Sequence, residues 1–287
     1  MHLDANTPQE NLATLYDAEA IRAHFGAAAK HYDAFSSIQQ ITANHLTELI
    51  PHTTANIKNG ILLDLGCGTG STVQNFYREY QGHCIGLDLT YRMLKNAHGL
   101  SSALQADMQQ LPLQAQSIDL LISNSSCQWV APKLVIAEIQ RVLKPGGYAF
   151  ISLFVDGSLP ELKQNLSLQH RMQKLPSESL WSKIIRETDL FLEYEEQKLH
   201  LQEFVTSKAL FDSIRGVGAS ISPERHKYLG KKTYKAMLSD EGNEKKLSWR
   251  TLYLVLKAPA IKTAIKTIGV EMIAEGMTET NSIFKVG

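Results

Sequence analysis

The run Ile61-Leu62-Leu63-Asp64-Leu65-Gly66-Cys67-Gly68-Thr69-Gly70 constrains this chain more than any other stretch. A short apolar segment, long enough for one buried strand, runs directly into a glycine-rich turn. Lys58-Asn59-Gly60 marks where the strand opens. Gly66, Gly68 and Gly70 let the backbone turn sharply and approach a ligand with no Cβ in the way. Residues from Ser71 to Tyr80 can then open a helix whose first N–H groups face that ligand. The pattern predicts a nucleotide-type site at the first βα unit of an α/β sheet.

A dinucleotide fingerprint has the form G-x-G-x-x-G/A, and Ser71 stands where its third small residue belongs. Asp88 closes the next apolar stretch, His83-Cys84-Ile85-Gly86-Leu87-Asp88. A carboxylate at the tip of a second strand can bond both hydroxyls of a ribose. These residues predict an adenosine-containing cofactor in a doubly wound fold, with NAD and S-adenosylmethionine both open.

Three later segments separate the two. Ala106-Asp107-Met108-Gln109-Gln110-Leu111-Pro112-Leu113 follows a third short apolar stretch. Asp119-Leu120-Leu121-Ile122-Ser123-Asn124 reads as a fourth strand ending in polar residues. Arg141-Val142-Leu143-Lys144-Pro145-Gly146-Gly147 reads as a helix end with a Pro-Gly-Gly stop, and Tyr148 to Phe154 as a fifth strand. In order and spacing, residues 61 to 154 resemble the motifs of class I S-adenosylmethionine-dependent methyltransferases. The resemblance implies a Rossmann-like α/β fold, a mostly parallel seven-stranded sheet with helices on both faces and a helical lid. It implies S-adenosylmethionine as cofactor and S-adenosylhomocysteine as product.

By the same resemblance, the loop from Gly66 through Gly68 to Gly70 passes the methionine part, Asp88 holds the ribose, and Asp107 meets the adenine amino group. Met108 offers a backbone N–H to the ring, Leu89 and Met93 pack on the adenine face, and Asn124 lies at the strand end nearest the transferring methyl. Asp64 either caps the loop or, as an acidic residue often does in this family, meets the methionine ammonium. Simpler readings stand beside these: Cys67 as a small filler, Met93 and Met108 as core residues, Pro145-Gly146-Gly147 as a structural turn.

Composition agrees. The chain has 287 residues, 44% of them hydrophobic, and Lys plus Arg (29) equals Asp plus Glu (29), so total charge gives no sign of a nucleic-acid partner. Its 3 cysteines, Cys67, Cys84 and Cys127, lack metal-ligand spacing, and their odd number disfavours a disulfide scaffold. The 10 histidines form no H-E-x-x-H pair, so no metal is expected. No apolar run reaches the length of a membrane span. Acidic residues at positions 4, 10, 17 and 19 replace the basic-then-apolar start of a secretory signal, and a cytoplasmic protein with no membrane partner is expected.

The expected organisation has three parts. Residues 1–57 form an N-terminal helical lid segment, with helices over 21–33 and 36–50, the second carrying Ile38, Ile41, Leu46 and Leu49 at helical spacing. Residues 58–257 form the cofactor-binding domain, with a helical insertion at about 156–245. Residues 156–215 read as mainly helical, and a closing β pair falls near 191–205 and 247–257. Residues 258–287 are a C-terminal extension of unassigned role, in which Ile261, Ile265, Ile268 and Met272 share one helix face.

The lid narrows the resemblance. Phe25-Gly26-x-x-Ala29-x-x-Tyr32-Asp33, Ser123-Asn124-x-x-x-Gln128-Trp129, Gly157-Ser158-Leu159-Pro160-Glu161-Leu162 and Ile214-Arg215-Gly216-Val217-Gly218-Ala219 are similar to the malonyl-acyl-carrier-protein O-methyltransferases of biotin synthesis. The chain departs from that pattern where the family has Leu-Thr-Tyr entering the last strand; here it has Leu247-Ser248-Trp249. The resemblance implies methylation of the free carboxylate of a malonyl thioester, carried by acyl carrier protein or coenzyme A. Such a carboxylate is already ionised at neutral pH, so positioning and desolvation suffice and no general base is expected.

Tyr32, Gln128 and Trp129 are the candidate positioning residues; Tyr32 and Trp129 also have a plain packing reading. Arg215 and Arg225 are the candidates to grip the malonyl carboxylate, because a guanidinium fork suits a carboxylate. Lys227, Lys231, Lys232 and Lys235 follow as a candidate docking patch for an acidic carrier or as a solvated helix face. A small-molecule or lipid-quinone methyltransferase, and a non-catalytic S-adenosylmethionine-binding assembly factor, are the open alternatives.

Overall fold

Alternating apolar strands and helices build one sheet in the order β3-β2-β1-β4-β5-β7-β6. The computed structural model describes residues 17–50, 59–76, 80–163, 174–218 and 245–260. The strands are β1 (Ile61–Leu65), β2 (His83–Asp88), β3 (Ser102–Gln105), β4 (Ile118–Asn124), β5 (Leu143–Phe154), β6 (Phe191–Glu203) and β7 (Lys246–Lys257). The strands β3 through β5 pair in parallel, and β7 lies antiparallel between β5 and β6. Chain order reverses between β1 and β4, which opens a crevice at their carboxyl ends.

The central strands are apolar on both faces because helices cover both. On one face Leu63, Leu65, Leu121, Ile151 and Leu254 pack with Val135, Ile136 and Ile139 of α6 (Pro132–Val142) and Trp181 and Ile185 of α8 (Glu178–Arg186). On the other, Leu62, Leu120, Ile122, Phe150 and Tyr253 pack with Leu46 of α3 (Ser37–Glu48). Each such side chain contributes roughly 1.5–3 kcal/mol of burial, set against its ordering entropy. A third cluster gathers Ile38, Phe154, Leu159, Leu210, Leu247 and Trp249 around the carboxyl end of β5.

The helical cover differs in detail from expectation. Residues 21–33 do not form one helix: α1 (Ala18–Ala28) ends early and α2 (Tyr32–Phe35) starts anew. Asp17 caps α1 by accepting from the Glu19 and Ala20 N–H groups. At its far end the Ala29 carbonyl is taken by the Asn96 side chain at 3.0 Å, so a tertiary partner replaces the next helical turn.

Pro145-Gly146-Gly147 is likewise not the helix stop. The helix ends at Val142 and β5 begins at Leu143. Ile118 pairs with Leu143 but Leu120 with Tyr148, so Lys144 to Gly147 bulge out of the ladder. A residue with no N–H and a glycine at φ +76° suit that bulge. Within 156–215 the long edge strand β6 lies between α8 and α9 (Ser207–Gly216), where the first of the closing strands was expected. The closing pair of strands falls where expected. Among the described residues no helix is long and apolar enough to cross a membrane.

Candidate cofactor and substrate site

The glycine loop is fixed by the end of β2. Gly66 and Cys67 donate their N–H groups to the Leu87 carbonyl at 2.7 and 3.0 Å. Gly66, Gly68 and Gly70 have φ of +74°, +56° and +79°, the left-handed region that favours glycine. Their surroundings differ. A Cβ at position 66 would lie 2.5 Å from Ser126, and one at position 70 would lie 2.5 Å from the His98 carbonyl; at position 68 nothing lies within 4 Å. The first and third glycines answer to protein packing, and the middle one faces free space. The loop leads into α4 (Ser71–Phe76).

Asp88 holds the loop from below. Its carboxylate accepts from the Gly68 N–H at 3.0 Å and the Thr90 N–H at 2.7 Å. Burial raises its pKa above the ordinary carboxylate range, against those two bonds.

Asp64, at the end of β1, is 1% exposed. Neither of its oxygens has a hydrogen-bond partner among the described residues. Burial, with the charge of Asp88 second, pushes its pKa up to about 8. A buried carboxylate without partners is costly, and a cation with N–H donors is the group that would satisfy it. Unfilled acceptors at Asp64, the carboxylate of Asp88 at the tip of β2 and open space over Gly68 together fit an adenosyl amino acid such as S-adenosylmethionine.

The cover closes over the same point. Asp33 accepts from the Thr69 hydroxyl at 2.6 Å, so α2 is tied to the glycine loop. Tyr32 is half-buried, and burial, then the charges of Asp88 and Asp33, push its phenol far above the ordinary range. The phenol therefore stays protonated and available as a donor beside Asp88. Phe25 of α1 meets Trp129 edge to face, with ring centroids 5.4 Å apart. Trp129 belongs to a 3-10 turn, Cys127–Trp129, after β4; in the same turn buried Gln128 donates to the Ser125 carbonyl at 2.8 Å. The structure thus places Tyr32 within the field of Asp88 and brings Trp129 to the lid.

Asn124 ends β4, as expected, and its amide is held by the protein. Its Oδ1 accepts from Thr42 at 2.9 Å and Ser152 at 2.5 Å, and its Nδ2 donates to the Gln39 carbonyl at 3.0 Å. The amide is engaged by α3 and β5, and it clasps the lid to the sheet at the strand end where the sequence places it.

Asp107 accepts from the Gln109 N–H at 2.8 Å in the turn after β3, and Met108 reaches under Gly66. Met93 is buried in α5 (Tyr91–Leu94), and half-buried Leu89 follows Asp88 directly. Arg215 is exposed on α9 and forms no ion pair with the described residues. Its helix packs on α2, where a Cβ on Gly216 would enter the Phe35 ring. Arg225 and the lysines at 227, 231, 232 and 235 lie outside the described residues, as does the helix face from Ile261 to Met272.

Sequence reasoning missed Thr69, Asp33, Thr42 and Ser126. Asp33 stands beside Tyr32 and Thr69 inside the loop, and those positions were their only signal. Cys67, Cys84 and Cys127 are buried free thiols whose pKa values burial raises. Among the described residues no cluster of His, Cys, Asp and Glu is arranged to hold a metal. A cleft of about 780 Å³ lies elsewhere, between α8 and β6, lined by Ser182, Glu195 and Arg250 and by none of the glycine-loop residues.

Comparison with known proteins agrees with this geometry. The family described as "Methyltransferase domain" matches residues 63–151. A malonyl-[acyl-carrier protein] O-methyltransferase of Hamiltonella defensa is 34% identical over 220 residues, covering 70% of this chain and 78% of that protein. The protein of the same name from Herminiimonas arsenicoxydans is 31% identical over 211 residues, covering 71% and 79%. Among solved structures, the YcgJ protein of Bacillus subtilis superposes with a TM-score of 0.56 at 18% identity, over 75% of this chain and 99% of that one, which is a likeness of fold.

Proposed function

The chain belongs to the malonyl-[acyl-carrier protein] O-methyltransferase family, and from that premise we propose that it methylates the free carboxylate of a malonyl thioester, an early step of biotin synthesis. The observation that carries the cofactor reading is Asp64: a buried carboxylate with no partner at the foot of a glycine loop fits the ammonium of S-adenosylmethionine. Asp88 would hold the ribose hydroxyls, Asp107 and the Met108 backbone N–H the adenine edge, and Leu89 and Met93 its face. When bound, this cofactor supplies an electrophilic methyl on a sulfonium, and S-adenosylhomocysteine is left.

The chain's own residues then align and desolvate. The malonate oxygen is ionised at neutral pH, so no proton has to be removed. Tyr32, kept protonated by burial and the charges of Asp88 and Asp33, would donate a hydrogen bond to the cofactor or the substrate. Phe25 and Trp129 exclude water from the cover, and Gln128 stiffens the turn that carries Trp129. Holding nucleophile and methyl in line is the main acceleration such a site offers. Arg215 and Arg225 are the candidate partners of the carboxylate. Arg215 stands on the helix packed against α2.

Intact-mass spectrometry of malonyl-loaded acyl carrier protein, incubated with this protein and S-adenosylmethionine, tests the reading. A gain of one methylene on the malonyl form, and none on an acetyl-loaded control, is expected. No gain with cofactor binding intact would overturn it. Arg215→Gln and Arg225→Gln, scored for KM of the malonyl substrate against cofactor affinity, assign the carboxylate partner.

A further inference from the structure

Total charge balances to zero, yet one surface is basic throughout. Residues 20–32, which span most of α1 and the turn into α2, contain no Asp or Glu; nor do residues 89–106, which contain α5. The two segments pack together. Asn96 donates to the Ala29 carbonyl, and a Cβ on Gly26 would lie 3.4 Å from the Thr90 methyl and 3.5 Å from the Arg92 stem. The shared surface exposes Arg22, Lys30, His31, Arg92, Lys95 and His98. None of them forms an ion pair with the described residues.

The acids bordering this surface in sequence lie at its edge, each turned to a hydrogen bond with the chain. Asp17 caps α1, Asp33 accepts from Thr69, Asp88 from Gly68 and Thr90, and Asp107 from Gln109. Glu19, on the first turn of α1, is one helical turn from Arg22 and marks the edge of the basic surface, at the far end from Lys30. The surface also adjoins the glycine loop. Lys30 and His31 precede Tyr32 directly, and His98 donates its N–H to the Thr69 carbonyl at 3.1 Å. Basic groups without counter-charges, grouped at the rim of a site, draw in an acidic macromolecule and set its orientation.

We propose that the α1–α5 surface docks the acidic carrier protein that presents the malonyl group, an inference that rests on the function proposed above. The lysines at 227–235 are then not the principal docking patch. The carrier would sit over the cover that holds Tyr32, so docking and closure are coupled.

The test compares malonyl-loaded acyl carrier protein with malonyl-pantetheine, which has no protein part, using Arg22→Glu/Lys30→Glu/Lys95→Glu. The expected result is a KM for the loaded carrier raised about tenfold or more, with loss of its salt dependence. Turnover of malonyl-pantetheine and S-adenosylmethionine affinity should be unchanged. Should the triple variant lose cofactor binding through misfolding, Lys95→Glu alone, exposed over the Tyr91 ring, is expected to raise that KM about threefold. An unchanged carrier KM, equal losses on both substrates, or an effect confined to Lys227→Glu/Lys231→Glu/Lys235→Glu would overturn the docking surface while leaving the activity standing. A wild-type protein that methylates neither substrate removes both the activity and the inference.

Discussion

Thr69 donates to the Asp33 carboxylate at 2.6 Å, which makes the glycine loop and the first part of the helical cover one hydrogen-bonded unit. The bond is charge-assisted but reached by solvent at Asp33, which places its worth at about 1 kcal/mol. Thr69→Val keeps the shape and removes the donor. S-adenosylmethionine affinity should fall up to about fivefold by calorimetry and Tm by about 2–4 °C, and an unchanged Kd would show that the latch is idle.

Asp64 ties cofactor binding to pH. In the free protein its pKa is near 8, so at neutral pH it is mostly protonated; a bound ammonium would favour the ionised form. Binding should therefore release about one proton at pH 7, and affinity should rise between pH 6 and 8 and level off above. Calorimetry in buffers of different ionisation enthalpy measures that proton directly; none released would exclude Asp64 as the partner.

The same carboxylate sets a stability trade. Its folded pKa lies above its unfolded value, so its contribution is fully present in acid and is lost as pH rises through about 8. The slope in that window is at most about 1.4 kcal/mol per pH unit. Asp64→Asn should flatten this slope and raise the Tm of the free protein at pH 8 while abolishing cofactor binding. A Tm that falls would mean that Asp64 has a stabilising partner in the folded protein.

The three loop glycines should separate by phenotype. Gly70→Ala drives a Cβ to 2.5 Å from the His98 carbonyl and should prevent stable folding. Gly68→Ala meets no protein atom within 4 Å, so its fold should survive with the usual left-handed penalty of about 1–2 kcal/mol, while cofactor affinity is lost. Equal Tm losses for the two would contradict this division.

Much of the sheet was legible because its signals are local. Ile61–Leu65 into glycines, Asp88 at a strand tip, and the alternation that ends in β6 and β7 each lie within a few residues of one another. What was not legible depends on distant partners. Ala27-Ala28-Ala29 has high helix propensity, yet the helix stops because Asn96 captures the Ala29 carbonyl. Asn124 stands at the strand end its motif predicts, but its amide is claimed by Gln39, Thr42 and Ser152. Pro145-Gly146-Gly147 has the composition of a helix stop and works as a bulge, because β4 continues to pair on both sides of it. Composition marks such residues as special without naming their partner.

The Asn124 clasp divides the cover into a wall and a door. Through it α3 is stitched to two central strands, and Ser37 and His45 add bonds to Gln202 and Glu196 on β6. Among the described residues, helices α1 and α2 have no such seam with the central strands; Asn96, Thr69, Trp129 and the end of α9 hold them. Displacing α1 and α2 would therefore break contacts at loops, turns and α9, where Gly216 meets Phe35 and Gly218 meets His24, and would leave the core of the sheet intact.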